Sequence, residues 1–177
     1  MQDDTAETAQ NTAAAFRRHR HEVLNALQLI KGYIQLGHPD RALHSVDRLA
    51  VWLTGLSRWH TVCPAQDSLL WQAAGQSSVA LAAVVPDQPP WRCSPGLERD
   101  LLAAWQWLQG QAAELGGSQP WQVTLRAGQR QGEILEGVEL DVARTENTGR
   151  WWDNLQTNGM TQPWSHVVLG CSGASGI

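Results

Sequence analysis

The chain has 177 residues, of which 42% are hydrophobic, and this is enough for one compact domain or two small ones. Its formal net charge is -4, and its only basic cluster is residues 17–21, so we do not expect it to bind nucleic acid. No apolar run approaches the roughly 20 residues needed to cross a bilayer, and the first ten residues are acidic and polar, so we expect a cytoplasmic protein without membrane contact.

Two long helices are predicted at the start of the chain. Nothing from about Thr5 to Leu36 breaks a helix except Gly32. Gly37 and Pro39 then end the first helix, because glycine suits the left-handed position after a helix and proline cannot continue its hydrogen bonds. A second helix is predicted from about Asp40 to His60. The short connection between them predicts an antiparallel hairpin.

An apolar seam runs along the first helix at alternating steps of four and three residues, which is the spacing of a coiled coil or helical bundle. The seam positions are Phe16, Arg20, Val23, Leu27, Ile30 and Ile34. The second helix has its own apolar face, formed by Leu43, Val46, Leu49, Ala50, Leu53 and Leu56. Because the seam is longer than one hairpin partner can cover, we predict a homodimer in which two hairpins form a four-helix bundle.

The rest of the chain predicts an α+β layer, with a small mixed sheet and helices on one side. Helices are predicted at residues 67–76, 95–115 and 149–156, with Ser94 as the N-cap of the second. Strands are predicted at 79–85, 121–126, 133–142 and 165–169, a proline-rich loop at 86–95 and a frayed end at 171–177. Most of the ten tryptophans should pack in the core, and Trp105 and Trp107 should face different sides of their helix.

The three cysteines, Cys63, Cys93 and Cys171, are isolated and form no C-x-x-C pair. This spacing argues against a disulfide framework and against a zinc site, so we expect reduced thiols. Histidines offer no metal site either, because His19 and His21 are two residues apart and point to different sides of a helix.

His21 is the candidate reactive residue, predicted at the edge of the seam. The residues that share its stripe at helical spacing are Asn25, Gln28 and Gly32, so the strip leading away from the imidazole is polar and then small. Such a strip allows another protein to approach closely. A neutral imidazole with a free ring nitrogen is a suitable nucleophile for reversible phosphoryl transfer.

The segment 20–32, RHEVLNALQLIKG, resembles the signature of the sporulation initiation phosphotransferase B family. It is also similar, more loosely, to the dimerisation helices of sensor histidine kinases, whose phosphoacceptor histidine precedes an acid. The match is specific over residues 17–37 and fair to about residue 60. One departure is Glu22, where aspartate is the commoner residue of the family.

The resemblance implies a phosphorelay phosphotransferase in the control of sporulation initiation. His21 would accept a phosphoryl group from the aspartyl phosphate of one response regulator and pass it to the aspartate of another. The implied domains are a dimerisation and phosphoacceptor hairpin at residues 1–62 and a degenerate histidine-kinase ATPase-like domain at 63–177. The partners are receiver domains and a second copy of the chain.

The residues around His21 have candidate roles in this reaction. Glu22 would orient or polarise the imidazole, and Asn25 would hydrogen-bond the phosphoryl group. Arg17 and Arg20 would steer the acidic pocket of a receiver, although they are equally explained as a solvated charged face. Gln28 and Gly32 would contact the partner, although Gly32 is also explained by tight helix packing. We expect no tightly bound cofactor, because the receiver can supply Mg²⁺.

Two other functions stay open. The first is an ATP-dependent sensor histidine kinase, although residues 62–177 contain neither an Asn-rich metal helix nor an Asp-x-Gly-x-Gly lid. The second is a non-catalytic dimeric scaffold that docks receiver domains.

Overall fold

The computed structural model describes residues 3–62, 73, 76–85, 92–128, 130–131, 134–158 and 163–173. The predicted helix at 67–76 lies almost entirely outside the described residues. The last four residues of the predicted frayed end also lie outside them. None of the helices in the described ranges combines the length and apolar character needed to cross a membrane.

The first two elements are the predicted helical hairpin. The first helix, α1, is Asp3–Gln35, and the second, α2, is Pro39–Val62. Gly37 has a φ of +71°, a left-handed conformation that glycine adopts without steric cost. The backbone N–H of His38 donates to the carbonyl of Tyr33 at 2.8 Å and closes the end of α1. The two helices pack against each other along the hairpin.

A four-stranded mixed sheet forms most of the second part of the chain. Its strands are β1 (Val79–Val85), β3 (Trp121–Ala127), β6 (Val138–Arg144) and β7 (Val167–Gly173), in the order β1-β3-β6-β7. The pairs β1–β3 and β6–β7 are parallel, and β3–β6 is antiparallel. The predicted mixed sheet is therefore confirmed.

A second, smaller sheet was not predicted. It contains β2 (Arg92–Cys93), β5 (Ile134–Leu135) and β4 (Arg130–Gln131), in that order. The predicted strand at 133–142 is consequently wrong as a single element, because β5 pairs with β2 whereas β6 pairs with β3 and β7. The loop predicted at 86–95 likewise contains β2, and residues 171–173 belong to β7 instead of a frayed end.

Two helices cover one face of the larger sheet. The helix α3 (Pro95–Leu115) begins as predicted, with Ser94 Oγ accepting a hydrogen bond from Leu97 N at 3.2 Å. The helix α4 is Glu146–Thr157, longer than predicted, and begins at a capping box of Thr145 and Thr148. Their buried faces and the inward side chains of the sheet form one core, which includes Leu81, Leu97, Leu101, Trp105, Leu108, Leu125 and Leu140.

Several of the described tryptophans pack in two clusters. The rings of Trp59 and Trp105 meet edge to face at 4.8 Å, so α2 contributes directly to the core beside α3. Trp107 instead lies 5.9 Å from Trp151 and 5.6 Å from Trp164. The prediction that Trp105 and Trp107 face different sides of their helix is confirmed.

The hairpin packs against the edge strand of the larger sheet. A Cβ placed on Gly55 of α2 would lie only 2.8 Å from the backbone nitrogen of Leu81 in β1. Arg58, one turn further along α2, donates to the Leu81 carbonyl at 3.1 Å. The close approach of α2 to β1 fixes the position of the hairpin relative to the α/β part of the chain. It thereby also fixes which residues lie next to α1.

Candidate functional site

His21 is exposed on α1, on the side that faces away from α2. At about 100° per residue, it lies about 140° around the helix from Ala26 and about 120° from Leu27. Ala26 is on the side of α1 that packs towards α2, and Leu27 belongs to the apolar seam. His21 is therefore farther from the seam than predicted, and its imidazole is open to an approaching protein.

His19 occupies a different environment, as predicted. Its ring is partly buried against Trp52 of α2, with the two ring centroids 5.2 Å apart. Trp52 itself is 1% exposed. His19 thus packs inside the hairpin, whereas the imidazole of His21 is accessible.

The strip beyond His21 is accessible along its length. Asn25 and Gln28 are exposed, and a Cβ added at Gly32 would meet nothing within 4 Å. Within the hairpin, Gly32 is therefore not explained by tight helix packing, the alternative considered above. The candidate steering residues Arg17 and Arg20 are also exposed. Gln28 and Gly32 therefore share an accessible strip with His21, and Arg17 lies one turn before it, whereas Arg20 is exposed at a seam position about 100° around α1.

Glu22 does not interact with His21 in the way the sequence led us to expect. Its Oε1 accepts a hydrogen bond of 2.6 Å from the Oγ of Ser77, a residue just before β1. The carboxylate lies about 100° around α1 from His21, towards α2. Within the described part of the chain, no hydrogen bond joins Glu22 to His21.

The Glu22 carboxylate lies at a cavity of about 190 Å³ in the groove between α1 and α2. Among the described residues, one cation, Arg48, and one acid, Glu22, line it. The described residues that line it are Glu22, Asn25, Ala26, Leu29, Ser45, Arg48, Leu49, Trp52 and Ser77. Asn25 thus connects the exposed strip to this groove.

Three residues near the site were not predicted from the sequence: Ser77, Arg48 and Trp52. Ser77 is 55 residues from Glu22 along the chain, and neither local pattern nor spacing signals the contact. Arg48 and Trp52 lie one helical turn apart on α2. They were not predicted because the predicted apolar face of α2 lies on the opposite side of that helix.

In the part of the chain that the structure describes, His21 does not belong to a group of metal-ligating side chains. Among the residues that the structure describes, no set of three His, Cys, Asp or Glu side chains is placed to hold a metal ion. Cys171 is a free thiol, and Cys63 lies outside the described residues. Burial raises the pKa of the Cys171 thiol, so this residue favours its neutral form.

Comparison with known proteins gives one family match. Residues 1–58 match the alpha-helical domain of SpoOB-type sensor kinases. This range covers nearly all of the hairpin, including His21 and its strip, and none of the sheet. No solved structure matches the chain significantly. This match shows that the N-terminal helical region of the chain is similar to the alpha-helical domain of SpoOB-type sensor kinases, and it does not extend to residues 59–177.

Proposed function

We propose that the protein is a dimeric histidine phosphotransferase of a phosphorelay, in the control of sporulation initiation. The observation that carries the proposal is the exposure of His21 on a helix that matches the SpoOB-type domain. Asn25, Gln28 and Gly32 continue the accessible strip on the same side of α1. A receiver domain that approaches along this strip can bring its aspartate to the imidazole.

In the proposed reaction a ring nitrogen of neutral His21 attacks the phosphorus of an aspartyl phosphate on the first receiver. A nitrogen–phosphorus bond forms, the bond between phosphorus and the aspartate oxygen breaks, and the aspartate leaves as a carboxylate. The second step is the reverse, with the aspartate of another receiver as the nucleophile. The receiver supplies Mg²⁺, which neutralises charge on the phosphoryl oxygens.

The exposed polar and basic residues of α1 would assist this reaction. Asn25, one turn after His21, can donate its amide N–H to a phosphoryl oxygen. Arg17 lies one turn before His21, and Arg20 directly precedes His21 in the sequence. Both place positive charge where an acidic receiver pocket would arrive. These residues would mainly position the receiver and promote its encounter with His21. Catalysis of phosphoryl transfer depends mostly on such positioning.

We also propose that the hairpin dimerises through its apolar seam. In the isolated chain the seam leaves large side chains in water, with Leu27 49% and Ile34 64% exposed on α1. On α2, Leu43 is 63% exposed and Val46 43%, and Leu53 extends the same row. The steps of three and four along both helices are those of a bundle interface, and a second hairpin would bury both rows.

The proposed role of residues 63–177, as a degenerate ATPase-like domain, is structural support and partner contact. The packing of α2 on β1 and the hydrogen bond from Ser77 to Glu22 support this role, because both connect that region to the hairpin.

Phosphoryl transfer with purified components tests the proposal. The protein is incubated separately with a phosphorylated receiver domain and with radiolabelled ATP. Label from the receiver alone is expected. Label from ATP would instead indicate a sensor kinase, and label from neither source would indicate a docking scaffold.

The labelled position is tested by substitution. His21→Gln should abolish labelling and leave the oligomeric state unchanged. His38→Gln is a matched control, because His38 is an exposed histidine in the turn between α1 and α2. Label that persists in the His21→Gln protein would overturn the assignment.

A further inference from the structure

We infer that Ser77 is a positioning residue for the proposed phosphoryl transfer, which holds the Glu22 carboxylate in the groove between α1 and α2 and away from His21. The inference deepens the proposed function and rests on it for its catalytic consequence. Through this hydrogen bond, Ser77 also connects the α/β part of the chain to the Glu22 carboxylate, which is next to the proposed phosphoacceptor His21. The hydrogen bond between Ser77 and Glu22 is the structural observation that carries it.

The hydrogen bond has the geometry of a strong contact. The Oγ of Ser77 donates to Oε1 of Glu22 at 2.6 Å, and a carboxylate acceptor makes such a bond stronger than one between neutral groups. Both side chains are partly buried, so water competes less for the carboxylate than it would on an open surface.

The residue that follows Ser77, Ser78, is held by the sheet and by α3. The neighbouring carbonyl, that of Ser78, accepts a hydrogen bond of 2.9 Å from the backbone N–H of Trp121, the first residue of β3. The hydroxyl of Ser78 donates to the carbonyl of Gln109 on α3 at 3.4 Å. The turn before β1 is therefore attached to the sheet and to α3, and Ser77 presents its hydroxyl from a fixed position.

The position of the carboxylate matters for an anionic reaction. Glu22 directly follows His21, and its flexible side chain is long enough to turn towards the imidazole side of α1 if nothing holds it. A phosphoryl group carries negative charge, so a carboxylate beside it would oppose its approach. With Glu22 bonded to Ser77, the carboxylate lies in the groove on the α2 side, and the region in front of His21 is left to Asn25 and the basic residues.

A double-mutant cycle tests this role. Ser77→Ala should slow transfer from a phosphorylated receiver at saturation by about three- to tenfold, the effect of one lost hydrogen bond, with KM for the receiver unchanged. Ser77→Thr, which keeps the hydroxyl, should restore the rate. In the Glu22→Gln background, Ser77→Ala should have no further effect, since the charge that Ser77 positions is gone.

A matched control is Ser45→Ala. Ser45 lines the same cavity, but its hydroxyl donates to the Arg41 carbonyl of its own helix at 2.9 Å. This variant should transfer at the wild-type rate. The inference is overturned if Ser77→Ala matches the wild type, if it changes KM alone, or if its effect and that of Glu22→Gln multiply. Thermal melts of each variant would identify any loss of folding.

A small phosphoryl donor separates this inference from the proposed function. Phosphoramidate transfers its phosphoryl group to imidazole without a receiver, breaking its own nitrogen–phosphorus bond and releasing ammonia. Phosphorylation of His21 is followed by mass spectrometry. If receivers fail to label the wild-type protein, the proposed function fails. The role of Ser77 is then decided by whether Ser77→Ala slows the phosphoramidate reaction and whether Glu22→Gln removes that difference; equal rates would overturn it.

Discussion

The carboxylate of Asp100 on α3 accepts a hydrogen bond from Nδ1 of His166, just before β7, at 2.8 Å. The same oxygen, Oδ2, also accepts hydrogen bonds from the backbone N–H groups of Ser165 and His166, at 3.0 and 3.1 Å. One side chain thereby ties the start of α3 to the start of the last strand. The hydrogen bond from His166 is the main reason that the pKa of Asp100 is held below its ordinary value.

We predict that Asp100→Asn lowers the free energy of unfolding by about 1 to 2 kcal/mol at neutral pH. The variant weakens charge-assisted hydrogen bonds at a side chain that is 14% exposed, so part of the effect is screened. Urea unfolding followed by tryptophan fluorescence measures it. Glu98→Gln, on the same turn of α3, is the control and should change stability by no more than about 0.5 kcal/mol.

The contribution of Asp100 should also depend on pH in a defined direction. Because its pKa is lower in the folded than in the unfolded chain, its stabilisation is fully present above the unfolded value and is lost as the pH falls through the folded value. The difference between wild type and Asp100→Asn should therefore shrink as the pH falls below about 4. A difference that grows on acidification would contradict this account.

The contact between α2 and β1 gives a second prediction. Gly55→Ala should destabilise the protein by about 1 to 3 kcal/mol, because the new Cβ would lie 2.8 Å from Leu81 N and 3.2 Å from Leu81 O. Neither backbone atom can move without shifting β1. The control is Thr54→Ala, an exposed neighbour on the same helix, which should be close to neutral. A neutral Gly55→Ala would mean that α2 is not held against the sheet.

The helical hairpin could be predicted from the sequence because its determinants are local. The period of the apolar residues sets the helices, and Gly37 and Pro39 set the turn between them. Ser94 as the N-cap of α3 follows from the same kind of signal. The exposure of His21 was predicted too, and so was the placement of His19 on another side of the same helix.

The division between β5 and β6 could not be predicted in this way. Apolar and polar side chains alternate through residues 133–142 in a pattern typical of one strand. The break between β5 and β6 depends on pairing partners that are distant in the sequence. The Leu135 carbonyl accepts from Ser94 N, and the next strand pairs with β3 and β7. The contact of Ser77 with Glu22 was missed for the same reason, because it joins residues 55 positions apart.

The apolar seam gives a third prediction. Leu27→Glu should convert the proposed dimer to a monomer, because it places a charge in the middle of an interface that would otherwise bury leucine. Sedimentation analysis measures the change. Leu115→Glu is the control, since Leu115 is exposed to a similar degree at the end of α3, outside the seam. A wild-type protein that sediments as a monomer at all concentrations would exclude the bundle.

Gly32 gives a fourth prediction, in which stability and function change in opposite directions. Glycine within a helix costs up to about 1 kcal/mol relative to alanine, and a Cβ at Gly32 would meet nothing within 4 Å. Gly32→Ala should therefore stabilise the protein by about 0.5 to 1 kcal/mol. If receivers dock along the strip from His21 to Gly32, the added methyl group should also raise KM for the phosphorylated receiver several-fold and leave kcat nearly unchanged.

Gly110→Ala on α3 is the matched control for this experiment. A Cβ there also meets nothing within 4 Å, so the variant should gain similar stability, and Gly110 is distant in sequence from the α1 strip. It should leave both kinetic parameters at their wild-type values. If Gly32→Ala gains stability and keeps the wild-type KM, the receiver does not approach α1 closely at this position, and docking must be confined to the strip nearer to His21.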